Sequence, residues 1–131
     1  MECIWRLHVP RRVRNFLWLA LRDQLLTNVE RRRRHLTMDG ACPVCAQGDE
    51  DLDNVLHGCV RTKTVWSHLV HPNWLNVFHA GSFTQWFTDN LFEEGHVRLL
   101  GRDWKLLFAI TCWALWQWRF HFVFNAGCEL L

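Results

Sequence analysis

The chain has 131 residues, half of them apolar and nine of them tryptophan; this composition excludes a disordered chain and supplies one hydrophobic core. The formal net charge of +2 conceals nine arginines against three acids in residues 1–36, and ten acids against six basic residues in residues 37–131. Residues 1–36 are therefore a basic N-terminal third, which indicates either a polyanionic partner or simply arginine-rich helix surfaces.

The first residues lack the features of a secretory signal, because arginines are scattered among them and no early apolar stretch precedes a cleavage site. We therefore expect an intracellular protein, located in the nucleus or the cytoplasm. In that reducing setting, clustered cysteines act as metal ligands more often than as disulfides.

Two helices are predicted in the basic third. The first follows Pro10, and its apolar positions recur at helical spacing: Val13, Phe16, Leu17, Ala20 and Leu21. Thr27 with Glu30 three residues later is the capping-box pattern that opens a second, short helix. This helix carries four consecutive arginines: Arg31, Arg32, Arg33 and Arg34. Because four successive positions span about 300° around a helix, they form either a phosphate-binding surface or a solvated helix face.

Residues 42–58 do not follow a helical period, so a loop is predicted there, with at most a short β-hairpin. A helix resumes near Cys59, and residues 71–73, His-Pro-Asn, end it. Ser82 with Gln85 suggests a further capping box, opening a helix that ends near residue 94. The last helix is predicted over residues 103–124. The predicted fold class is therefore mostly α, a helical domain with a small knuckle-like loop.

Residues 106–124 are apolar enough to raise the question of a membrane span. Gln117, Arg119 and His121 interrupt this stretch, however, and a charged side chain is costly at the centre of a bilayer. We therefore expect a buried helix and no membrane partner.

The loop carries the clearest chemical motif of the chain. Cys42-Pro-Val-Cys45 has the spacing that places two thiolates on one ion, and Cys59 with His57 follows shortly downstream. Three thiolates and one imidazole would complete a tetrahedral zinc site. The alternatives are a redox motif, which would need a βαβ setting that the pattern lacks, or three reduced cysteines packed in a small subdomain.

Motifs around and upstream of these cysteines carry a family resemblance. They are Ile4-Trp5-Arg6-Leu7, Val9-Pro10, Val13-Arg14, Phe16-Leu17-Trp18, Leu25-Leu26-Thr27-Asn28, Arg33-Arg34, Cys42-Pro-Val-Cys45, Glu50-Asp51, Cys59 and Val65-Trp66. With them the chain resembles the zinc-binding domain that follows the reverse transcriptase in plant non-LTR retrotransposons, and in host genes derived from them. A weaker likeness, at residues 112–116 and 122–125, is to the connector that usually precedes an RNase H-like domain.

The resemblance implies a reverse-transcriptase-type zinc-binding domain in residues 1–71, with its knuckle at 42–59, and a helical connector in residues 72–131. It further implies a non-catalytic module that holds Zn²⁺, assists the binding of RNA or DNA, and docks to reverse transcriptase or RNase H-like domains. The sequence contains neither a polymerase-type aspartate pair nor a carboxylate cluster typical of a two-metal nuclease. We therefore expect a fragment or degenerate copy of a retroelement polyprotein, and no enzyme.

The chain departs from the family pattern at one ligand position. The family places its histidine ligand where Asn54 stands here, and an amide is a poor zinc ligand. His57 lies one helical turn further on and could take over. The alternative is a site with three thiolates and a water, which would bind zinc weakly or not at all.

Two other functions compete with this interpretation. Cys59 with His57 could form a nucleophile and base, but no orienting group or oxyanion-hole motif accompanies them. Alternatively, the aromatic C-terminal helix could expose an apolar face and serve a protein-interaction module.

Overall fold

The protein is mostly helical. The structure is a computed structural model and describes residues 8–46, 48–92 and 104–129, with side chains as far as His121. Its elements are α1 (Arg11–Leu21), α2 (Asn28–Arg33), a π-helical turn (Asn54–Gly58), α3 (Val60–Ser67), a 3-10 turn (Pro72–Trp74), α4 (Leu75–His79), α5 (Phe83–Phe92) and α6 (Trp104–Glu129). Within these ranges the only β-type pairing is an isolated antiparallel bridge between Ala41 and Asp49. The predicted mostly-α fold class is confirmed.

The two N-terminal helices follow the sequence pattern. In α1 the buried residues are Val13, Phe16, Leu17 and Ala20, while Leu21 is half-buried. Thr27 caps α2 by accepting a hydrogen bond of 3.2 Å from the Glu30 backbone N–H. The capping box is only half formed, because the Glu30 carboxylate turns to Arg33 and Arg34 instead of reaching back to the cap.

The loop prediction was wrong for the second half of residues 42–58. The chain becomes helical at Leu52, and the Asp51 side chain accepts a hydrogen bond of 2.8 Å from the Asn54 backbone N–H. Leu52, Val55 and Leu56 are buried, so this short helical segment has an apolar side that packs on the core. Five of the residues 49–54 are acidic or amide side chains, so the hydropathy averaged over this stretch is low and does not indicate the apolar side.

A second helical segment was missed after α3. The preceding helix, α3, already ends at Ser67, ahead of the residues 71–73 that were predicted to end it, and Pro72 opens a 3-10 turn that leads directly into α4. The reason for α4 is Phe78, which is buried against the Trp66 ring at a centroid distance of 5.1 Å. The helix has five residues, which is too short for a periodic signal to be recognised in the sequence.

The later helices match the prediction where the structure describes them. Ser82 accepts from the Gln85 backbone N–H at 3.3 Å, and α5 buries its apolar side: Trp86, Phe87, Asn90 and Leu91. The predicted end of α5 near residue 94 and the predicted start of the last helix at residue 103 lie outside the described residues. The last helix, α6, continues to Glu129, beyond its predicted end.

One aromatic cluster forms the centre of the core. Trp66 is fully buried, and its ring packs against Phe78, Trp86, Trp104 and Phe108. Around this cluster, α6 packs against α1, α5 and the π-helical turn. Both predicted segments, residues 1–71 and 72–131, contribute to this core, and the division between them stays a prediction. Among the described residues, no helix has the length and apolar character needed to cross a bilayer.

Candidate metal centre

Three thiols meet in the knuckle. The sulfur atoms of Cys42, Cys45 and Cys59 all lie within 4.8 Å of one another, and the Cys42 and Cys59 sulfurs are 3.9 Å apart. Cys42 and Cys59 are buried, whereas Cys45 is half-buried. The prediction that these three side chains come together is therefore confirmed.

The local backbone brings the first two cysteines to one side of a tight loop. The bridge from Ala41 to Asp49 closes the loop, and the Cys42 backbone N–H donates to the Gly48 carbonyl at 2.7 Å. Inside it, the Ala46 N–H donates to the Cys42 carbonyl at 3.0 Å, with Ala46 at a φ of 56°. The third thiol comes from outside this loop, since Cys59 immediately precedes α3 in extended conformation.

The spacing of the sulfurs fits zinc. A tetrahedral zinc ion with Zn–S bonds of about 2.3 Å places its sulfur ligands about 3.8 Å apart. The 3.9 Å between Cys42 and Cys59 is close to that separation without any rearrangement. All three separations are within 4.8 Å, so the thiols are close enough to share one ion, and thiolates are common ligands of structural zinc sites.

The surroundings treat the two buried thiols differently. Burial alone would raise the pKa of the Cys42 thiol, but the backbone N–H groups of Cys45 and Val44, together with the Arg119 guanidinium, outweigh it and hold that pKa below its ordinary value. Burial raises the pKa of Cys59, and the negative charge of Cys42 beside it adds to that rise. Cys42 is therefore the first of the pair to form a thiolate.

His57 does not join the thiols in this conformation. Its Nδ1 lies 2.9 Å from Asp53 Oδ1 and its Nε2 lies 3.1 Å from the His79 carbonyl oxygen, while the ring stacks on Trp86 at 4.4 Å. Both ring nitrogens thus lie within hydrogen-bond distance of oxygen atoms of the protein, and neither belongs to the group of side chains around the thiols. As a metal ligand, His57 stays a prediction that this arrangement does not support.

Asn54 lies beside the thiols, where a fourth metal ligand would have to be. Its Nδ2 is 4.0 Å from the Cys45 sulfur, and its Oδ1 accepts from Arg119 Nη1 at 3.1 Å. The π-helical turn begins at this residue and aims its side chain at the thiols, while His57 on the same turn faces α4 and α5. Of the two candidates for the fourth position, Asn54 and not His57 lies beside a thiol in this structure, although its side chain is an amide.

Sequence reasoning missed two charged residues of the site. Arg119 on α6 and Glu50 in the knuckle are both 2% exposed, and Arg119 Nη1 is 3.0 Å from Glu50 Oε2 and 3.3 Å from the Cys42 sulfur. The other Glu50 oxygen accepts from the Asn28 backbone N–H at 2.8 Å. The available signal was an arginine inside an otherwise apolar helix, since a buried charge needs a partner.

The four consecutive arginines have partners within the molecule. Arg31 donates to Asn28 Oδ1 at 2.9 Å, and Arg32 pairs with Asp49 at 3.2 Å. Arg33 and Arg34 both bind the Glu30 carboxylate, and their hydrogen bonds lower the pKa of Glu30 to about 2. The side chains of Arg32, Arg33 and Arg34 remain 45%, 73% and 53% exposed, so the run is a solvent-facing surface that is already partly neutralised.

Exchange of the residue at position 54 tests the fourth ligand. Because Asn54 already lies beside the Cys45 sulfur, Asn54→His is expected to lower the zinc dissociation constant by about tenfold or more, through one added imidazole ligand. His57→Ala is expected to leave that constant nearly unchanged. It should lower the free energy of unfolding by about 1–3 kcal/mol, since it removes the contacts with Asp53 and Trp86.

The measurement is competition with a chromogenic chelator, paired with thermal unfolding. His68→Ala, which removes an exposed imidazole from the end of α3, is the matched control and should change neither quantity. A large loss of zinc affinity in folded His57→Ala would show that the ring turns to the metal and would contradict the arrangement described above.

The chain matches a known protein family over residues 1–66, half of its length, and the family is described as zinc-binding in reverse transcriptase. A curated relative from Arabidopsis thaliana, named "Putative ribonuclease H protein", is 34% identical over 130 residues. The alignment covers 98% of this chain and 21% of the relative, so the chain spans about a fifth of that protein's length. No solved structure matches the chain significantly.

Proposed function

Because the chain belongs to the family of zinc-binding domains of reverse transcriptases, we propose that it works as a non-catalytic zinc-binding module. The observation that carries this proposal is the meeting of the Cys42, Cys45 and Cys59 sulfurs within 4.8 Å. These three residues would hold the ion as thiolates. A bound zinc ion supplies a structural cross-link here, because it joins the loop of residues 41–49 to the start of α3.

Other groups of the protein stabilise the thiolate and hold the metal-binding loop in place. Backbone N–H groups around Cys42 stabilise its thiolate, and the π-helical turn presents Asn54 to the fourth position. Glu50 fastens the loop to the N-terminus of α2, since its Oε1 accepts from the Asn28 N–H. The arrangement fixes the knuckle against the helices, as a structural metal site requires.

Zinc content of the purified wild-type protein is the direct test. We expect about one zinc per chain by elemental analysis. Chelation should shift the thermal unfolding midpoint downward, because metal binding to the folded state alone stabilises that state. A folded protein that contains no zinc and gains none on titration would overturn the proposal.

We further propose that the module assists nucleic-acid binding, with the surface of Arg31, Arg32, Arg33 and Arg34 contacting phosphates. The basic composition of residues 1–36 and the exposure of Arg32, Arg33 and Arg34 support it. Their pairing with Glu30 and Asp49 limits the gain, because a phosphate must compete with these carboxylates. We therefore expect weak binding that depends on salt and not on base sequence.

Paired charge removals test this surface. Arg31→Gln with Arg32→Gln is expected to weaken binding of a single-stranded oligonucleotide and to reduce the slope of log affinity against log salt by about one to two. The matched control, Arg11→Gln with Arg12→Gln, removes the same charge from exposed positions of α1 and should have the smaller effect. Fluorescence anisotropy over a salt series measures both. Equal losses in the two variants would mean that only net charge matters.

A second candidate function, docking of a protein partner, is favoured by a specific observation. An apolar groove of about 400 Å³ lies between α3 and α6, lined among others by Val65, Leu69, Ile110 and Trp118. These four side chains are partly exposed apolar groups, which a monomer seldom collects in one place. The reverse transcriptase or RNase H-like part of a longer polypeptide is the proposed occupant. An unchanged oligonucleotide affinity in the Arg31 and Arg32 variant would favour protein docking over nucleic-acid binding.

A further inference from the structure

Arg119 is the least expected residue of the metal centre. It lies on α6, far outside the family match at residues 1–66, and is 77 positions from Cys42 in the chain. Its side chain is 2% exposed, although guanidinium groups are almost never fully buried without partners. The neighbouring polar side chains on α6 are more accessible, since Gln117 is half-buried and His121 is exposed, so of these three Arg119 is the one buried in the interior.

Three acceptors converge on one nitrogen of this side chain. Arg119 Nη1 lies 3.0 Å from Glu50 Oε2, 3.1 Å from Asn54 Oδ1 and 3.3 Å from the Cys42 sulfur. Because Nη1 carries two hydrogens, the three acceptors share two donors. When Cys42 is a thiolate, it becomes a charged acceptor and competes strongly for one of them.

We propose that Arg119 is a positioning residue of the zinc site, which donates to the Cys42 thiolate and makes α6 part of the metal centre. This inference rests on the proposed zinc-binding function. It assigns a role in metal binding to the C-terminal half of the chain, which lies beyond the segment that matches the family.

Charge balance supports this role. Three thiolates and the Glu50 carboxylate bring four negative charges to the site, and Zn²⁺ with Arg119 brings three positive ones. Without Arg119 the buried site would carry two uncompensated negative charges, which is costly in a desolvated environment. Groups that hydrogen-bond to metal ligands also fix their orientation, and their loss typically weakens metal binding by about 10–100-fold.

A purely structural role must be separated from this one, since Arg119 also neutralises Glu50. Arg119→Met alone would strand the Glu50 carboxylate and could unfold the site for that reason. The double variant Arg119→Met with Glu50→Gln removes both charges together and keeps similar volumes. Glu50→Gln alone leaves Arg119 with the Cys42 sulfur as its remaining charged acceptor.

The experiment measures zinc affinity of the full chain by chelator competition in these variants. We expect the double variant to lose about 10–100-fold in zinc affinity, and to lose more than Glu50→Gln alone, in which Arg119 still donates to the Cys42 sulfur. The matched control is Arg61→Met, because Arg61 also contacts α6, through the Trp118 ring at 5.3 Å, without its side chain touching a thiol. Its zinc affinity should equal that of wild type.

Cobalt substitution supplies a readout that a structural role would not move. The sulfur-to-cobalt charge-transfer bands should shift in the double variant and remain unchanged in Arg61→Met, since only the first removes a donor from a ligand sulfur. A double variant that is folded, binds zinc as wild type does and shows unshifted bands would overturn the Arg119 inference alone. Absence of zinc binding in the wild type would overturn the proposed function and this inference with it.

Discussion

Replacement of Cys42 or Cys59 by serine is expected to abolish zinc binding and to release the loop of residues 41–49 from α3. A serine hydroxyl does not ionise at neutral pH, so the site would keep only two of its three thiolates. Structural zinc contributes about 10–16 kcal/mol of apparent binding free energy in small zinc-dependent units, and most of it depends on the full thiolate set. We expect the zinc dissociation constant to rise by at least about a thousandfold. Elemental analysis and chelator competition measure it.

Cys112→Ser is the control for this substitution. Cys112 is fully buried in the core, its pKa is raised by burial, and its sulfur does not belong to the thiol cluster. The change buries a hydroxyl and should cost stability of about 1–3 kcal/mol while zinc stays bound. Retention of zinc by Cys42→Ser at full stoichiometry would contradict the assignment of that sulfur as a ligand.

Trp66→Ala is expected to lower the free energy of unfolding by about 3–5 kcal/mol, the usual cost of removing a fully buried tryptophan side chain. The ring is packed on four sides by Phe78, Trp86, Trp104 and Phe108, which leaves little freedom for collapse into the cavity. Its Nε1 also donates to the Leu56 carbonyl at 2.9 Å, and the alanine variant strands that acceptor. Denaturant unfolding followed by circular dichroism measures the loss.

Two further variants separate the contribution of the buried ring from those of the hydrogen bond and of an exposed tryptophan. Trp66→Phe keeps a ring and removes the hydrogen bond, so it should cost less than alanine. Trp74→Ala removes a tryptophan that is 38% exposed, and its cost should remain below about 1 kcal/mol. Similar losses at positions 66 and 74 would mean that the aromatic cluster is not the centre of the core.

The features that were predicted from the sequence are those that depend on residues close together in the chain. The stripe of α1 and the caps at Thr27 and Ser82 depend on residues within one or two helical turns; the stripe forms as expected, and both hydroxyls accept from the backbone although neither capping box closes. The spacing from Cys42 to Cys59 also predicted that the thiols come together, although the chain between Cys45 and Cys59 turns helical at Leu52 and is not the single loop that was expected.

The missed features depend on distant partners. Helix α4 is stabilised by the packing of Phe78 on Trp66, and the five residues of this helix do not by themselves predict that contact. Likewise, Arg119 reaches the thiols across 77 positions, so its role becomes visible only when α6 has been placed. His57 was predicted as a ligand from its distance along the chain, whereas the π-helical turn directs it towards Asp53 and His79.

The arrangement around Trp66 has a consequence for where the polypeptide can be divided. Residue 66 is the last position of the family match, yet the neighbours of its ring come from residues 78–108. A polypeptide truncated after that position would expose this indole to water and leave the Glu50 carboxylate without its guanidinium partner. We therefore expect the unit that folds cooperatively to extend beyond residues 1–66, which the family model matches, and to include the helices that pack on Trp66.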